Sequence, residues 1–123
     1  MKMSGIVLYV QDVEKLKRFY TEYLHFEVAE EMLPSWVLLK LGELELGLHK
    51  AGITYDVSET EAGENNNAKL VFETEEDLTL LREQLLSRQV QMRELKTWGN
   101  YGFWLCDGID PEGNVFQIKQ KKS

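Results

Sequence analysis

Leu70-Val71-Phe72-Glu73-Thr74-Glu75-Glu76-Asp77-Leu78 repeats the plan of Ile6-Val7-Leu8-Tyr9-Val10-Gln11-Asp12-Val13, and the second copy closes on Asp110-Pro111-Glu112-Gly113-Asn114-Val115-Phe116-Gln117. In both copies an apolar, β-branched run gives way to acidic residues and then to helical spacing. Such a run suits a buried strand. Ile6 and Leu70 lie 64 residues apart. An internal repeat is read first because it decides the architecture.

The pattern extends outward from each copy. Asp12 is placed to cap a helix. Val13, Leu16, Phe19, Tyr20, Tyr23 and Leu24 then fall on one helical face. Phe26 to Leu33 and Ser35 to Leu41 read as strands joined at Pro34, and Gly42 turns the chain into Glu43 to His49. There Leu44, Leu46 and Leu48 alternate with Glu43, Glu45, Gly47 and His49, so the two sets occupy opposite faces. The first half is βαβββ. Residues 50–67 are rich in Gly, Asn and acidic residues without period and read as a linker or lid.

The second half restarts with a strand at Lys69 to Glu73. Thr74 with Asp77 resembles a capping box. Leu78, Leu81 and Leu85 stripe a helix, and strands are expected at Val90 to Leu95, Tyr101 to Cys106 and Val115 to Lys119. Asp110-Pro111-Glu112-Gly113 suits a type I turn, with Asn114 as a left-handed or bulged residue after it. At the same offset Leu16 meets Leu80, Phe26 meets Val90 and Val28 meets Met92. The last strands align with an offset of 72, Glu45 against Gln117, if a hairpin from Asp107 to Asn114 holds the extra residues. We therefore expect an α+β protein of two βαβββ modules in a single domain, 1–123. Module one spans 4–49, the linker 50–67 and module two 68–119. Halves of this size bury too little surface to be comfortable alone.

Composition narrows the function. A net charge of −7 repels phosphate backbones, which argues against nucleic acid and leaves a cationic ligand open. No run reaches the roughly 18 apolar residues of a membrane span. No signal peptide is evident at the N-terminus, and Cys106 is the only cysteine, so a cytoplasmic location is expected. Cys106, in a strand beside Leu105, reads as a small buried hydrophobe. His25 follows the first helix and reads as a turn residue.

With these pieces in this order, the chain resembles the vicinal oxygen chelate superfamily of glyoxalases, extradiol dioxygenases and fosfomycin- and bleomycin-resistance proteins. The resemblance rests on Val10-Gln11-Asp12-Val13, Phe19-Tyr20, Leu24-His25-Phe26-Glu27-Val28 and Asp110-Pro111-Glu112-Gly113-Asn114, and it covers residues 4–119. His25 stands where the family often has Gly. The resemblance implies sheets curled around a cleft with helices outside, frequent dimers, and a divalent metal held from the first and fourth strands of each module. Those positions fall on Gly5, Glu45, Lys69 and Gln117.

The departures carry chemistry. Gly5 offers no ligand. Lys69 is cationic at neutral pH. Gln117 is a neutral donor where enzymatic members carry Glu. That leaves one carboxylate and one amide against the three protein ligands typical of a catalytic metal site. Lys69 is expected to pair with Glu45 in place of a metal. No resident metal or other cofactor is expected.

Trp36, Trp98 and Trp104, with Tyr101 and Phe103, suit stacking on a planar or amphipathic ligand. They also suit core or interface packing, and the alternation around Trp36 and Trp104 does not choose their faces. His49 is in cleft register, as a general base, a displaced metal ligand or a hydrogen-bonded strand-end residue. The expected binding residues are Trp36, Glu45, His49, Lys69, Trp98, Tyr101, Trp104 and Gln117. The leading reading is a metal-independent small-molecule-binding protein, similar to bleomycin-resistance proteins; the replacement of the usual metal ligands by Gly5, Lys69 and Gln117 leans away from an enzyme without deciding it. One alternative is a metal-dependent isomerase, lyase or dioxygenase using Glu45, His49 and Gln117. The other is a dimeric interaction module. A homodimer is expected in any case.

Overall fold

The computed structural model describes residues 3–51 and 68–123, so the expected linker lies outside the described residues except for Lys50 and Ala51. The element order is β1 (Gly5–Val10), α1 (Val13–Glu22), β2 (Glu27–Met32), β3 (Trp36–Leu41), β4 (Leu44–Lys50), β5 (Lys69–Thr74), α2 (Leu78–Ser87), β6 (Gln91–Met92), β7 (Phe103–Ile109) and β8 (Val115–Lys121). The chain divides into two compact units, one on each sheet. The sheets have the orders β1-β4-β3-β2 and β5-β8-β7-β6. In each, the first strand runs parallel to the fourth and the other pairs are antiparallel. This is the α+β, βαβββ-twice architecture that the repeat implies.

Side-chain caps start the helices. Asp12 accepts from the Lys15 amide at 3.0 Å. In the second module the cap is Asp77, which accepts from Thr79 and Leu80 at 2.9 and 3.2 Å. Thr74, the expected cap, instead accepts from the Glu76 amide one turn earlier. After each helix the chain reverses through a left-handed residue, His25 (φ 63°) and Gln89 (φ 66°). These two are also 64 residues apart. Each reversal delivers a buried residue, Phe26 or Val90, whose amide bonds back to the helix end. His25 thus does the backbone work that favours Gly.

One face of each sheet is closed by its helix. In the first unit Leu16 and Tyr20 of α1 pack with Val37, Leu39, Leu46 and Leu48, all 1% exposed or less. In the second, Leu78 and Leu85 of α2 accompany Cys106, Phe116 and Ile118. Full burial of each large side chain is worth about 1.5–3 kcal/mol. These are the apolar faces the alternation assigned to helix cover.

Two strands differ from expectation. The segment from Val90 to Leu95 ladders only at Gln91–Met92, with a further isolated bridge from Lys96 to Leu105. Tyr101 belongs to a turn, its amide bonded to the Trp98 carbonyl, so β7 starts at Phe103 and runs on through Asp107 to Ile109. The hairpin is correspondingly short. Asp110 organises it, accepting from the Glu112 and Asn114 amides and from Asn114 Nδ2, each at 2.9 Å. Gly113 (φ 87°), not Asn114, takes the left-handed conformation. Among the described residues no helix is long and apolar enough to cross a membrane.

Candidate functional site

The face of each sheet turned away from its helix carries five of the expected site residues, Trp36, Glu45, His49, Lys69 and Gln117. In the first unit that face holds Gly5, Val7 and Tyr9 of β1, Glu45, Gly47 and His49 of β4, and Trp36 and Leu38 of β3, as the pairing Gly5↔Glu45, Tyr9↔His49 and Trp36↔His49 requires. It is open: Val7 is 48% and Tyr9 65% exposed. His49 sits between Tyr9 and Trp36, with ring centroids 5.4 and 6.1 Å away. Its Nδ1 lies 2.8 Å from the Lys50 carbonyl. Trp36 Nε1 donates to Glu30 Oε2 at 3.2 Å. The Trp36 ring lies over Gly47, where a Cβ would come within 2.5 Å of Cη2. Of the expected residues, Trp36 and His49 are therefore brought together. Glu45 is four strand positions from His49, about 13 Å along the strand, so the two do not converge on one ion.

In the second unit the corresponding face holds Lys69, Val71 and Glu73 of β5, Gln117 and Lys119 of β8, and Phe103, Leu105 and Asp107 of β7. Its centre is Asp107, 2% exposed. Lys69 Nζ donates to Asp107 Oδ2 at 3.0 Å, and Gln117 Nε2 donates to Oδ1 at 2.8 Å. Lys96 Nζ stands 3.6 Å from Oδ2. The partner of Lys69 is thus Asp107 of its own sheet, where Glu45 was expected. A carboxylate so buried must be paired. Burial opposes its charge, but the hydrogen bonds from Gln117 and Lys69 and the charges of Lys69 and Lys96 outweigh that, holding the carboxyl below its ordinary value.

An aromatic row ends at Phe103 on the same face. Trp98 stacks on Tyr101 at 4.6 Å, Tyr101 meets Phe103 at 5.9 Å, and Lys119 Nζ lies 4.4 Å from the Phe103 centroid. Phe103 is on the same face of β7 as Asp107, four strand positions away, so the aromatic row and the Lys69–Asp107–Gln117 group lie toward opposite ends of that face. Trp104 is not on it. Its ladder partner is Gln120, so it points to the helix side, where it lines an open groove of about 380 Å³ with Leu78, Leu95 and Lys122. Cys106 shares that side and is buried, and burial pushes its thiol up, as befits an inert cysteine.

Asp107 and Lys96 escaped the sequence reading. A hairpin placed at 107–114 puts Asp107 in a turn. A hairpin that begins at Asp110 pairs Ile109 with Val115 and so brings Asp107 opposite Gln117. The Asp-Pro-Glu-Gly turn held that signal. The ladders also revise the offset between the last strands. Gly5 faces Glu45, but Lys69 faces Val115, so the rung of Gln117 corresponds to Gly47 and that of Glu45 to Val115.

These residues do not fit the divalent metal that the resemblance implies. Gly5 brings no donor, and a Cβ there would lie 3.0 Å from the Glu45 carbonyl oxygen. Lys69 presents an ammonium group already hydrogen-bonded to a carboxylate. Among the described residues no three of His, Cys, Asp or Glu come together to hold an ion.

No family model matches the chain, and no curated protein does. Solved structures do. A fosfomycin resistance protein, FosX, from Listeria monocytogenes is 14% identical, with 99% of this chain and 94% of that one covered and a TM-score of 0.78. Lactoylglutathione lyase from Agrobacterium tumefaciens is 15% identical over 97% and 92%, with a TM-score of 0.73. A protein from the mobile metagenome of V. pseudocholerae is 21% identical over 100% and 96%, with a TM-score of 0.74. The chain has the fold of these lactoylglutathione lyase and fosfomycin-resistance structures and shares few of their residues.

Proposed function

We propose that this chain binds a planar or amphipathic small molecule without a metal, in the manner of the bleomycin-resistance proteins its sequence resembles. One observation supports this most. Lys69 and Gln117, at the positions the resemblance assigns to metal ligands, both donate to the single carboxylate of Asp107. A cation-pair network fills the polar centre that an ion would otherwise occupy. Toward the other end of that sheet face the stacked Trp98 and Tyr101 offer a π surface, with Trp98 56% exposed. Aromatic rings with a few placed polar groups are the usual make-up of a small-molecule site. The fold neighbours include proteins named for lactoylglutathione lyase and fosfomycin resistance, both concerned with small molecules.

The test is tryptophan fluorescence in excess EDTA, titrated with a panel of planar aromatic compounds. Saturable quenching is expected, lost in Trp98→Ala and retained in Trp104→Ala. Binding or turnover that appears only after Ni, Mn, Fe or Zn is restored would overturn the reading.

A further inference from the structure

We infer that the second module's open face recognises an anionic head group, a carboxylate or phosphonate, on the ligand it stacks. This rests on the binding reading and names the class of ligand. The protein as a whole is acidic, at −7. Its net charge alone would favour a cation. The polar centre of this face has the opposite sign. Lys69 and Lys96 both lie within 4 Å of one carboxylate oxygen, Asp107 Oδ2. Two cations against one anion leave one positive charge in excess. Lys119 adds no surplus, because Glu73 lies 3.8 Å from its ammonium.

The geometry keeps that excess available. Asp107 is buried, but the Lys69 and Lys96 side chains are 41% and 51% exposed. An ammonium has three donors. Lys69 commits one to Asp107 at 3.0 Å, and Lys96, at 3.6 Å, is beyond ordinary hydrogen-bond length. Donors therefore remain on both for an incoming oxyanion. Asp107 holds Lys69 by that hydrogen bond, so less of the Lys69 side chain's freedom is lost on binding. Phe103, at the near end of the row Trp98, Tyr101, Phe103, is on the same face of β7 as Asp107 and four strand positions from it, about 13 Å, so a ligand of that length would set its ring on the row and its head group at the lysines. Short charge-assisted hydrogen bonds are the strong ones.

Protein-observed NMR on the full chain in EDTA tests this with benzoate, phenylphosphonate, benzamide and benzylamine. Benzoate or phenylphosphonate should shift the Leu105, Asp107 and Gln117 amides and bind about tenfold more tightly than benzamide, with benzylamine weakest. The better of the two anions tells carboxylate from phosphonate. Lys96→Met should remove that tenfold preference of benzoate over benzamide, with Lys69–Asp107 still holding the sheet. Lys69→Met should do the same if it folds, checked by the amide spectrum. Equal binding of benzoate, benzamide and benzylamine would overturn the anion inference and leave the aromatic site standing. No shift on this face with any of the four would overturn both.

Discussion

At one rung of two like sheets, module one places Leu38 opposite Gly47 and module two places Asp107 opposite Gln117. The backbone ladder is the same, and so is the side of the sheet. In module one the space above the rung is taken by an aromatic ring, Trp36 lying on Gly47. In module two it is taken by two ammonium groups and an amide around a carboxylate. The fold therefore fixes where a site can be, and each module fills that place with different chemistry. An apolar filling tolerates loss of a partner. A charged one does not, because a single deletion leaves the remaining charges unpaired.

The largest effect should come from breaking the charged rung. Asp107→Ala leaves Lys69 and Lys96 facing each other and strands the Gln117 amide. Because both lysines are half exposed and can rehydrate, the loss should be about 2–3 kcal/mol, below the full cost of a broken buried pair. Urea denaturation at pH 7 measures it. Acid should mimic the mutation. The carboxyl's folded pKa lies below the 3.8 of an unperturbed Asp. Its contribution is thus complete above that value and is lost as pH falls through the folded one. Between pH 7 and pH 3 the wild type should lose more urea resistance than Asp107→Ala. Equal losses would mean that Asp107 is not held charged by its partners.

The helix-facing side of the same strand gives the next effect. Gly108 faces α2, and a Cβ there would meet Phe116 Cζ at 2.5 Å and Met92 Sδ at 2.6 Å. Phe116 is fully buried and cannot step aside. Gly108→Ala should cost about 1–3 kcal/mol by overpacking, read as a lower urea midpoint with an unchanged slope. A neutral result would show this interface to be looser than the contacts imply.

How much of this the sequence disclosed follows from the same geometry. Strand alternation has a period of two and survives errors of even size, so the faces of Gly5, Glu45, Lys69 and Gln117 were legible even though the rung assignment of the last strands was off by two. Helix starts were legible at Asp12, because its side chain meets an amide three residues on. Contacts across strands were not. They depend on where the hairpin turns, and placing its start at Asp107 instead of Asp110 hid the partner of Lys69 and Gln117. Trp104 was undecidable, since its neighbours Phe103 and Leu105 are as apolar as it is.

The smallest effect sharpens the comparison most. Gly47→Ala makes a clash as short as Gly108→Ala does, 2.5 Å, but against the outer edge of Trp36 on the open face. Trp36 is only partly buried and is tied there by one hydrogen bond to Glu30. The ring can swing away, exchanging that bond for water at little net cost. The change should therefore cost under about 1 kcal/mol, against the larger penalty where the neighbour is caged. Its signature should be optical. With Trp98 and Trp104 replaced by Phe, the remaining Trp36 emission should move to longer wavelength in Gly47→Ala as the indole enters water. If stability falls as far as in Gly108→Ala, or the emission stays put, then Trp36 is packed as firmly as Phe116. The first module's open face would then be a closed surface, not a platform.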